Sequence, residues 1–440
     1  MKFKNTIAFL ALALCSFVAK AQVVHIPDEA FLEYMLLYTD VDTNFDGQIQ
    51  VSEAEAFTGT VNVYNSAAKD LTGLEAFKNI TILQISKTGI SHLDISNNTK
   101  LVGLFASSTL IDTIDVSKNT NLTQIEAQYN NELKTIVFGS QNYNDLQTVS
   151  LAFNILETID LSTCPNLSAL TLSSNQFKSI DVTKNPRLTR LSMGANQLTA
   201  LDVTKNTRLM ILGIGVNQIT HIDLSKNKQL DILNLNSNPL ASLNLNNNTF
   251  LTQVLLDYTH VTELDISKLE MLRYFYVNGT KLKTIDASKN TALVGLQASH
   301  CADLESVDVK NGNNVNVSLC VTEQDPKLRC IQVDDAAYSS SAFLWEKDET
   351  ATYTEDCALL AVNDSQLSEY LMIYPNPTAD ILNVNTKAYA ITVTNFAGQV
   401  VKTAKNVDSL DMSHLPCGAY IVNIQREQNG TYITKKVIKK

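Results

Sequence analysis

One string recurs through the middle of the chain at a step of 21 residues. It reads Leu188-Thr-Arg-Leu191-Ser-Met193-Gly-Ala-Asn196-Gln-Leu198, then Leu209-Met-Ile-Leu212-Gly-Ile214-Gly-Val-Asn217-Gln-Ile219, then Leu230-Asp-Ile-Leu233-Asn-Leu235-Asn-Ser-Asn238-Pro-Leu240. A unit this short cannot bury its apolar face alone, so it must stack on copies of itself. The Asn position is filled in register by Thr88, Thr109, Asn130, Asn154, Asn175, Asn196, Asn217, Asn238, Thr259, Thr280 and Cys301. Only the step from Asn130 to Asn154 departs from 21, and the register predicts eleven turns.

Each Leu-x-Leu segment reads as a short strand with its leucines pointing inward. The Asn that follows sits inside the turn, where its amide can satisfy backbone groups that would otherwise be buried unpaired. Thr and Cys do this more weakly, so the terminal turns should be less regular. Stacking at the strand spacing of ~4.8 Å predicts a parallel sheet along one side of a curved rod on the order of 50 Å long. A second string, Leu-Asp-Val/Ile/Leu-Ser/Thr-Lys-Asn, recurs on the far side, as at Leu201-Asp202-Val203-Thr204-Lys205-Asn206. There is no room for a long helix there. A short extended or 3₁₀ segment is expected, closed by a turn in which Asp, Ser/Thr and Asn take part.

The string Leu-x-x-Leu-x-Leu-x-x-Asn-x-Leu resembles the leucine-rich repeat, in the short internalin-like form common in exported Bacteroidota proteins. The resemblance runs from about Leu71 to Val317 and implies a mainly β solenoid. Its open ends need covers. Ahead of the repeats, His25-Ile-Pro-Asp-Glu-Ala-Phe31-Leu-Glu-Tyr-Met-Leu-Leu37 reads as a short amphipathic helix started by Pro27 and Asp28. After them, Cys330-Ile-Gln-Val333 through Thr354-Glu-Asp-Cys357 resembles the exit cap of the family, which implies a Cys330–Cys357 disulfide. That bond would close a 28-residue loop and contribute ~3–4 kcal/mol by loop entropy. Cys320 could compete for a partner, whereas Cys164 and Cys301 read as buried apolar residues of the repeat core.

Inside the entry cap, Asp42-Thr-Asn44-Phe-Asp46-Gly47-Gln48-Ile49-Gln50-Val-Ser-Glu53 fits the calcium-loop pattern D-x-[DN]-x-[DN]-G-x₅-E at every fixed place. Calcium takes oxygens at alternate loop positions. Asp42, Asn44 and Asp46 would offer side-chain oxygens and Gln48 its carbonyl. Gln50 would act directly or through water, and Glu53 through both oxygens. Gly47 permits the sharp turn. The string resembles an EF-hand without a second loop to pair with, which implies a structural Ca2+ clip of modest affinity rather than a sensor.

The first residues read as a secretory signal. Lys2 and Lys4 precede an apolar run from Ile7 to Val18, and Ala19-Lys20-Ala21 supplies small residues at a cleavage site. Neither that run nor any later stretch is long enough to span a bilayer, so no transmembrane segment is expected in the mature chain. Cleavage leaves 34 − 3 = 31 basic residues against 45 acidic, a net charge of −14. Such a surface repels a phosphate backbone and argues against a nucleic-acid partner.

Past Cys357 the repeat is lost and Val362 to Ser368 reads as a linker. Tyr374-Pro-Asn-Pro377, Asn395-x-x-Gly398-x-x-Val401, Gly418-Ala-Tyr420 and the basic end Lys435-Lys-Val-Ile-Lys-Lys440 follow in order. The alternation predicts a small antiparallel β-sandwich. Together the segments resemble the C-terminal sorting domain of the type IX secretion system, which implies that machinery as a partner and a secreted or outer-membrane-surface location. Six regions result: a signal at 1–21, an entry cap at 22–70, repeats at 71–319, an exit cap at 320–357, a linker at 358–371 and a sorting domain at 372–440.

None of the six histidines belongs to a metal-spaced or triad-like string, and no Gly-x-Ser-x-Gly, His-Glu-x-x-His or P-loop occurs. The chain therefore reads as a binder, not an enzyme. Side chains six, four and two residues before the Asn position should face out from the concave sheet. In the middle turns these are small: Ser150, Ala169, Thr171, Ser192, Gly213. Gln253, Leu255 and Asp257, followed by Tyr274, Tyr276 and Asn278, make the best candidate patch for an extracellular protein or glycan. Phe105 is a second candidate at the other end. The alternatives are a structural or adhesive surface component, or a non-catalytic accessory module.

Overall fold

Each repeat spends three residues on a strand whose middle side chain points inward, and the computed structural model carries this alternation from one end of the solenoid to the other. It describes residues 22–358, 372–395, 397–425 and 432–440; the signal segment and most of the linker lie outside these. Fourteen parallel strands form one sheet, from Thr60–Asn62 to Trp345–Lys347. Leu191, Leu212, Leu233 and Val254, the middle residues of successive strands, are fully buried and paired in register.

The eleven turns expected are the interior of this longer stack. The entry cap contributes Thr60–Asn62, and the exit cap contributes Leu319–Thr322 and Trp345–Lys347. The two exit coils escape the repeat because their steps change to 24 and 23 residues and their ladder positions hold Asp325 and Asp348. The Cys301 N–H donates to Asp325 Oδ1 at 2.6 Å, and the Asp325 N–H in turn donates to Asp348 Oδ2 at 2.5 Å.

The ladder works as its chemistry predicts. Asn217 Nδ2 donates to the Met193 and Ile214 carbonyls, both at 3.0 Å, while its Oδ1 accepts the Leu198 N–H at 2.9 Å. Thr259 offers its coil a single bond, Oγ1 to the Leu256 carbonyl at 2.8 Å. Cys301 reaches the Val277 carbonyl through sulfur at 3.2 Å. Asp325 breaks the pattern: it is fully buried, and its Oδ2 has no partner. Burial pushes its carboxyl up to about 7, against the opposing Cys301 hydrogen bond and with help from the Asp348 charge.

A second ladder runs behind the first. The last Asn of that far-side string, read from sequence as a turn residue, is fully buried at positions 98, 119, 185, 206, 227, 248 and 290, where it follows Lys in all but the first and the sixth. Asn206 Nδ2 donates to the Val182 and Asn185 carbonyls, both at 2.9 Å, and the other six repeat this pairing. Tyr143 takes this place in the irregular turn between Asn130 and Asn154. It is fully buried, and its hydroxyl donates to the Val116 carbonyl at 2.7 Å and accepts the Gly139 N–H at 3.0 Å. The Asp of the same string closes the exposed turn: Asp202 Oδ1 accepts the Thr204 N–H and hydroxyl at 2.8 and 2.7 Å.

The far side is extended, as expected, and at the two ends it pairs into sheets. Thr113–Asp115 pairs with Thr135–Val137, and Thr284–Asp286, Ser306–Asp308, Cys330–Gln332 and Thr352–Thr354 form a four-stranded sheet. At the entry, helix Glu29–Tyr38 starts at Asp28, which accepts the Phe31 N–H at 2.9 Å, and buries Phe31 and Met35. Cys330 and Cys357 are disulfide-bonded. Cys164, Cys301 and Cys320 are free and buried, and burial pushes the Cys164 and Cys320 thiols up to about 12. Cys417 is free and exposed.

The C-terminal unit is antiparallel, as expected. It is built as one five-stranded sheet rather than two facing ones: Ile373–Tyr374, Ile381–Asn395, Val400–Asp411, Gly418–Gln425 and Tyr432–Lys439. Register shifts in the long strand Ile381–Asn395 let that sheet bend around one core of Leu382, Ile391, Val393, Val422, Ile424 and Val437. The Asn-x-x-Gly turn is closed by Asn395 Oδ1, which accepts the Ala397 and Gln399 N–H groups at 3.0 Å, with Gly398 left-handed at φ +81°.

Candidate functional site

The parallel register brings the six candidate residues of the concave face together. Gln253 lies beside Tyr274 and Leu255 beside Tyr276, and these tyrosines lie beside Gly295 and Gln297 of the next strand. A Cβ at Gly295 would stand 3.1 Å from the Tyr274 ring and 3.6 Å from the Tyr276 hydroxyl oxygen. Both tyrosines therefore lean across the glycine. Their ring centroids are 6.3 Å apart with planes at 65°, an edge-to-face arrangement. The Arg273 guanidinium sits 5.9 Å from the Tyr274 centroid. Burial raises the Tyr276 hydroxyl pKa, and Tyr274 and the Asp257 charge raise it further.

Asp257 and Asn278 have a further role that the repeat reading missed. They belong to a chain of side chains along the rim, each accepting an N–H of the next coil. Asn236 Oδ1 accepts the Asp257 N–H, Asp257 Oδ1 the Asn278 N–H and Asn278 Oδ1 the Ser299 N–H, all at 2.8 Å. Ser299 Oγ accepts the Glu323 N–H at 3.2 Å. The signal was present in the sequence as Asn, Asp, Asn and Ser at one register position two residues before the inner ladder. Burial raises the Asp257 carboxyl pKa, and the hydrogen bonds from Asn278 only partly offset it. Phe105, the second candidate, leans over Gly103 in the same way: a Cβ there would stand 2.9 Å from its ring.

In the entry loop, alternate side chains turn inward. Asp42 Oδ2 accepts the Gly47 N–H, Asn44 Oδ1 the Asp46 N–H and Asp46 Oδ1 the Gln48 N–H, at 2.9, 2.8 and 2.9 Å. Gly47 is left-handed at φ +77°. Gln50 Nε2 donates to Asp46 Oδ2 at 2.9 Å. Glu53 is buried at the start of helix Val51–Ala56, where Oε1 accepts the Thr43 N–H and hydroxyl and Oε2 the Gln50 N–H. Burial works to raise its carboxyl pKa, but the bonds from Gln50, Thr43 and Asn44 together hold it below the usual range. Asp42, Asp46 and Glu53 do not converge into a three-carboxylate group among the described residues. The donor set, all oxygen and borne on one loop, still fits calcium by its chemistry.

Residues 372–440 match the family described as the secretion system C-terminal sorting domain. The C-terminal unit is a type IX sorting domain. A chain that carries this sorting domain is secreted or held at the outer-membrane surface. Among the described residues no helix is long and apolar enough to cross a membrane. The chain is also similar to the functional domain of InlJ from Listeria monocytogenes, described as including a cysteine ladder. That match has 24% identity and a TM-score of 0.63, and it covers 95% of this chain and 98% of that one. A TDR receptor matches at 16% identity and a TM-score of 0.52, with 69% of this chain and 66% of that chain covered. Both likenesses show a shared leucine-rich-repeat fold. No curated protein matches the sequence.

Proposed function

We propose that this exported solenoid recognises an extracellular protein or glycan through its concave sheet, and that it acts as a binder rather than an enzyme. One observation carries the reading: Tyr274 and Tyr276 lean over Gly295 beside Gln253, Leu255, Asp257 and Asn278, all half-buried on one face. Tyrosine offers a large apolar area and a hydrogen-bonding tip at low entropic cost, as interface anchors do. The central coils, with Ser150, Thr171, Ser192 and Gly213, provide a smooth floor leading to that patch. The test is an array of extracellular proteins and glycans probed with the mature chain beside a Tyr274→Ala/Tyr276→Ala double variant. The variant should lose the hits by at least about tenfold, the size of one ordinary anchor. Hits held equally by both chains would move recognition off this face.

We also propose that loop 42–53 holds one calcium ion. Asp42, Asn44, Asp46, the Gln48 carbonyl and Glu53 would hold it, with Gln50 direct or through water. The ion would supply a positive centre tying the loop to helix Val51–Ala56. Binding only to the folded state at 100 times Kd would add about 2.7 kcal/mol. Calcium is therefore expected to raise Tm by several degrees over the same chain in EDTA, and Asp42→Asn should abolish the difference. Equal Tm values with and without calcium would remove the ion from the account.

A further inference from the structure

We propose that Asp257 and Tyr276 form a socket for a cationic side chain, a lysine or arginine of a partner protein; this rests on the concave-face reading above. The rim chain shows why the carboxylate is informative. Its structural task is to accept one N–H from the next coil, and Asn236, Asn278 and Ser299 do that without charge. An Asn at position 257 would serve the coil equally well. The carboxylate adds a negative charge that the fold does not need, at a half-buried place where charge is costly.

Among the described residues no ion pair offsets that charge. The described ion pairs join Lys78 to Glu55, Lys134 to Asp112, Lys327 to Asp303 and Lys402 to Asp411. Asp257 receives only the neutral Asn278 backbone and amide N–H groups, at 2.8 and 2.9 Å. Tyr276 shares the concave face with it, two residues before the Asn278 that binds the carboxylate, and the face of an aromatic ring attracts a cation electrostatically. Arg273 already sits 5.9 Å from the neighbouring Tyr274 ring, so a guanidinium approaches this patch within the chain itself. A carboxylate next to an aromatic face suits a guanidinium or ammonium on an apolar stem. The mature net charge of −14 favours approach of a basic segment.

The experiment titrates the full mature chain with a labelled Gly-Arg-Gly-Arg-Gly peptide and its Arg→Gln counterpart, in physiological salt. The wild type should prefer the arginine peptide about tenfold, the effect of one cationic contact of ~1.4 kcal/mol. Asp257→Asn should erase that preference without lowering Tm, because the rim chain keeps its acceptor and loses only a charge that burial disfavours. Tyr276→Phe should retain the preference and Tyr276→Ala should lose it. Equal binding of the two peptides by the wild type, or an undiminished preference in Asp257→Asn, overturns the socket. A neutral oligosaccharide hit that survives Asp257→Asn and is lost in Tyr276→Ala overturns the socket but leaves the concave reading standing. A hit indifferent to both variants overturns both.

Discussion

Asp325→Asn is expected to stabilise the exit cap, with a gain that grows from pH 4 to pH 7. Asp325 stands where Asn130, Asn154, Asn175, Asn196, Asn217 and Asn238 stand in other coils. Its Oδ1 already does the ladder's accepting work for the Cys301 N–H. Its Oδ2 occupies the place of the amide, which in the similarly lengthened turn of Asn154 donates to the Ala127 and Leu151 carbonyls at 2.8 and 2.7 Å. By that register the acceptors here are the Ala298 and Thr322 carbonyls, which a carboxylate repels and an amide would satisfy. The Asp325 carboxyl lies near 7 in the folded chain, against about 3.9 when unfolded. Below about pH 4 both states hold the proton and nothing is lost. Between about 4 and 7 the folded state keeps a proton that the unfolded state has released, so stability falls as pH rises, and above 7 the loss is constant. Three pH units correspond to roughly 4 kcal/mol at most. Urea unfolding at pH 5 and pH 8 should show the wild type losing stability and the variant losing markedly less. Equal losses would mean that Asp325 is not the buried acid described.

Asn238→Ala should be among the most damaging single changes in the repeats. Asn238 is 1% exposed. Its Nδ2 donates to the Ile214 and Leu235 carbonyls, both at 3.0 Å, and its Oδ1 accepts the Ile219 N–H at 2.9 Å. Removing the amide leaves three buried backbone groups unpaired at about 1–3 kcal/mol each, partly relieved if water enters. A loss of ~3 kcal/mol or more is expected in denaturant unfolding. Asn238→Thr should lose less, because Thr259 serves the next coil with one hydroxyl bond. If Ala and Thr cost the same, the ladder bonds are not the source of the stability.

The solenoid was legible because its period is a packing requirement: every coil needs the same inward leucines and the same turn amide. It was legible only as far as that requirement is met by the same residue types. At the exit, Asp325 and Asp348 take over the ladder after longer steps, so two coils could not be seen in the repeat. Asn206 and its equivalents were visible, but an Asn after Lys on a polar string reads as an exposed turn. Their burial depends on the neighbouring coil's carbonyls, which sequence does not display. Tyr143 replaces that Asn with a different chemistry at a different spacing, and only three dimensions reveal the equivalence. The concave patch was readable because outward positions follow from strand alternation. The double duty of Asp257 and Asn278 is marked only by a run of Asn, Asp, Asn and Ser at one register position across four coils, and no single coil shows that these side chains serve the next one.

The most direct test of concave recognition is hydrogen exchange of the mature chain, free and saturated with its strongest array hit. Protection centred on residues 253–297, with the far-side strings unchanged, is the predicted footprint. Protection confined to the Leu-Asp strings of the far side or to the terminal caps would contradict it.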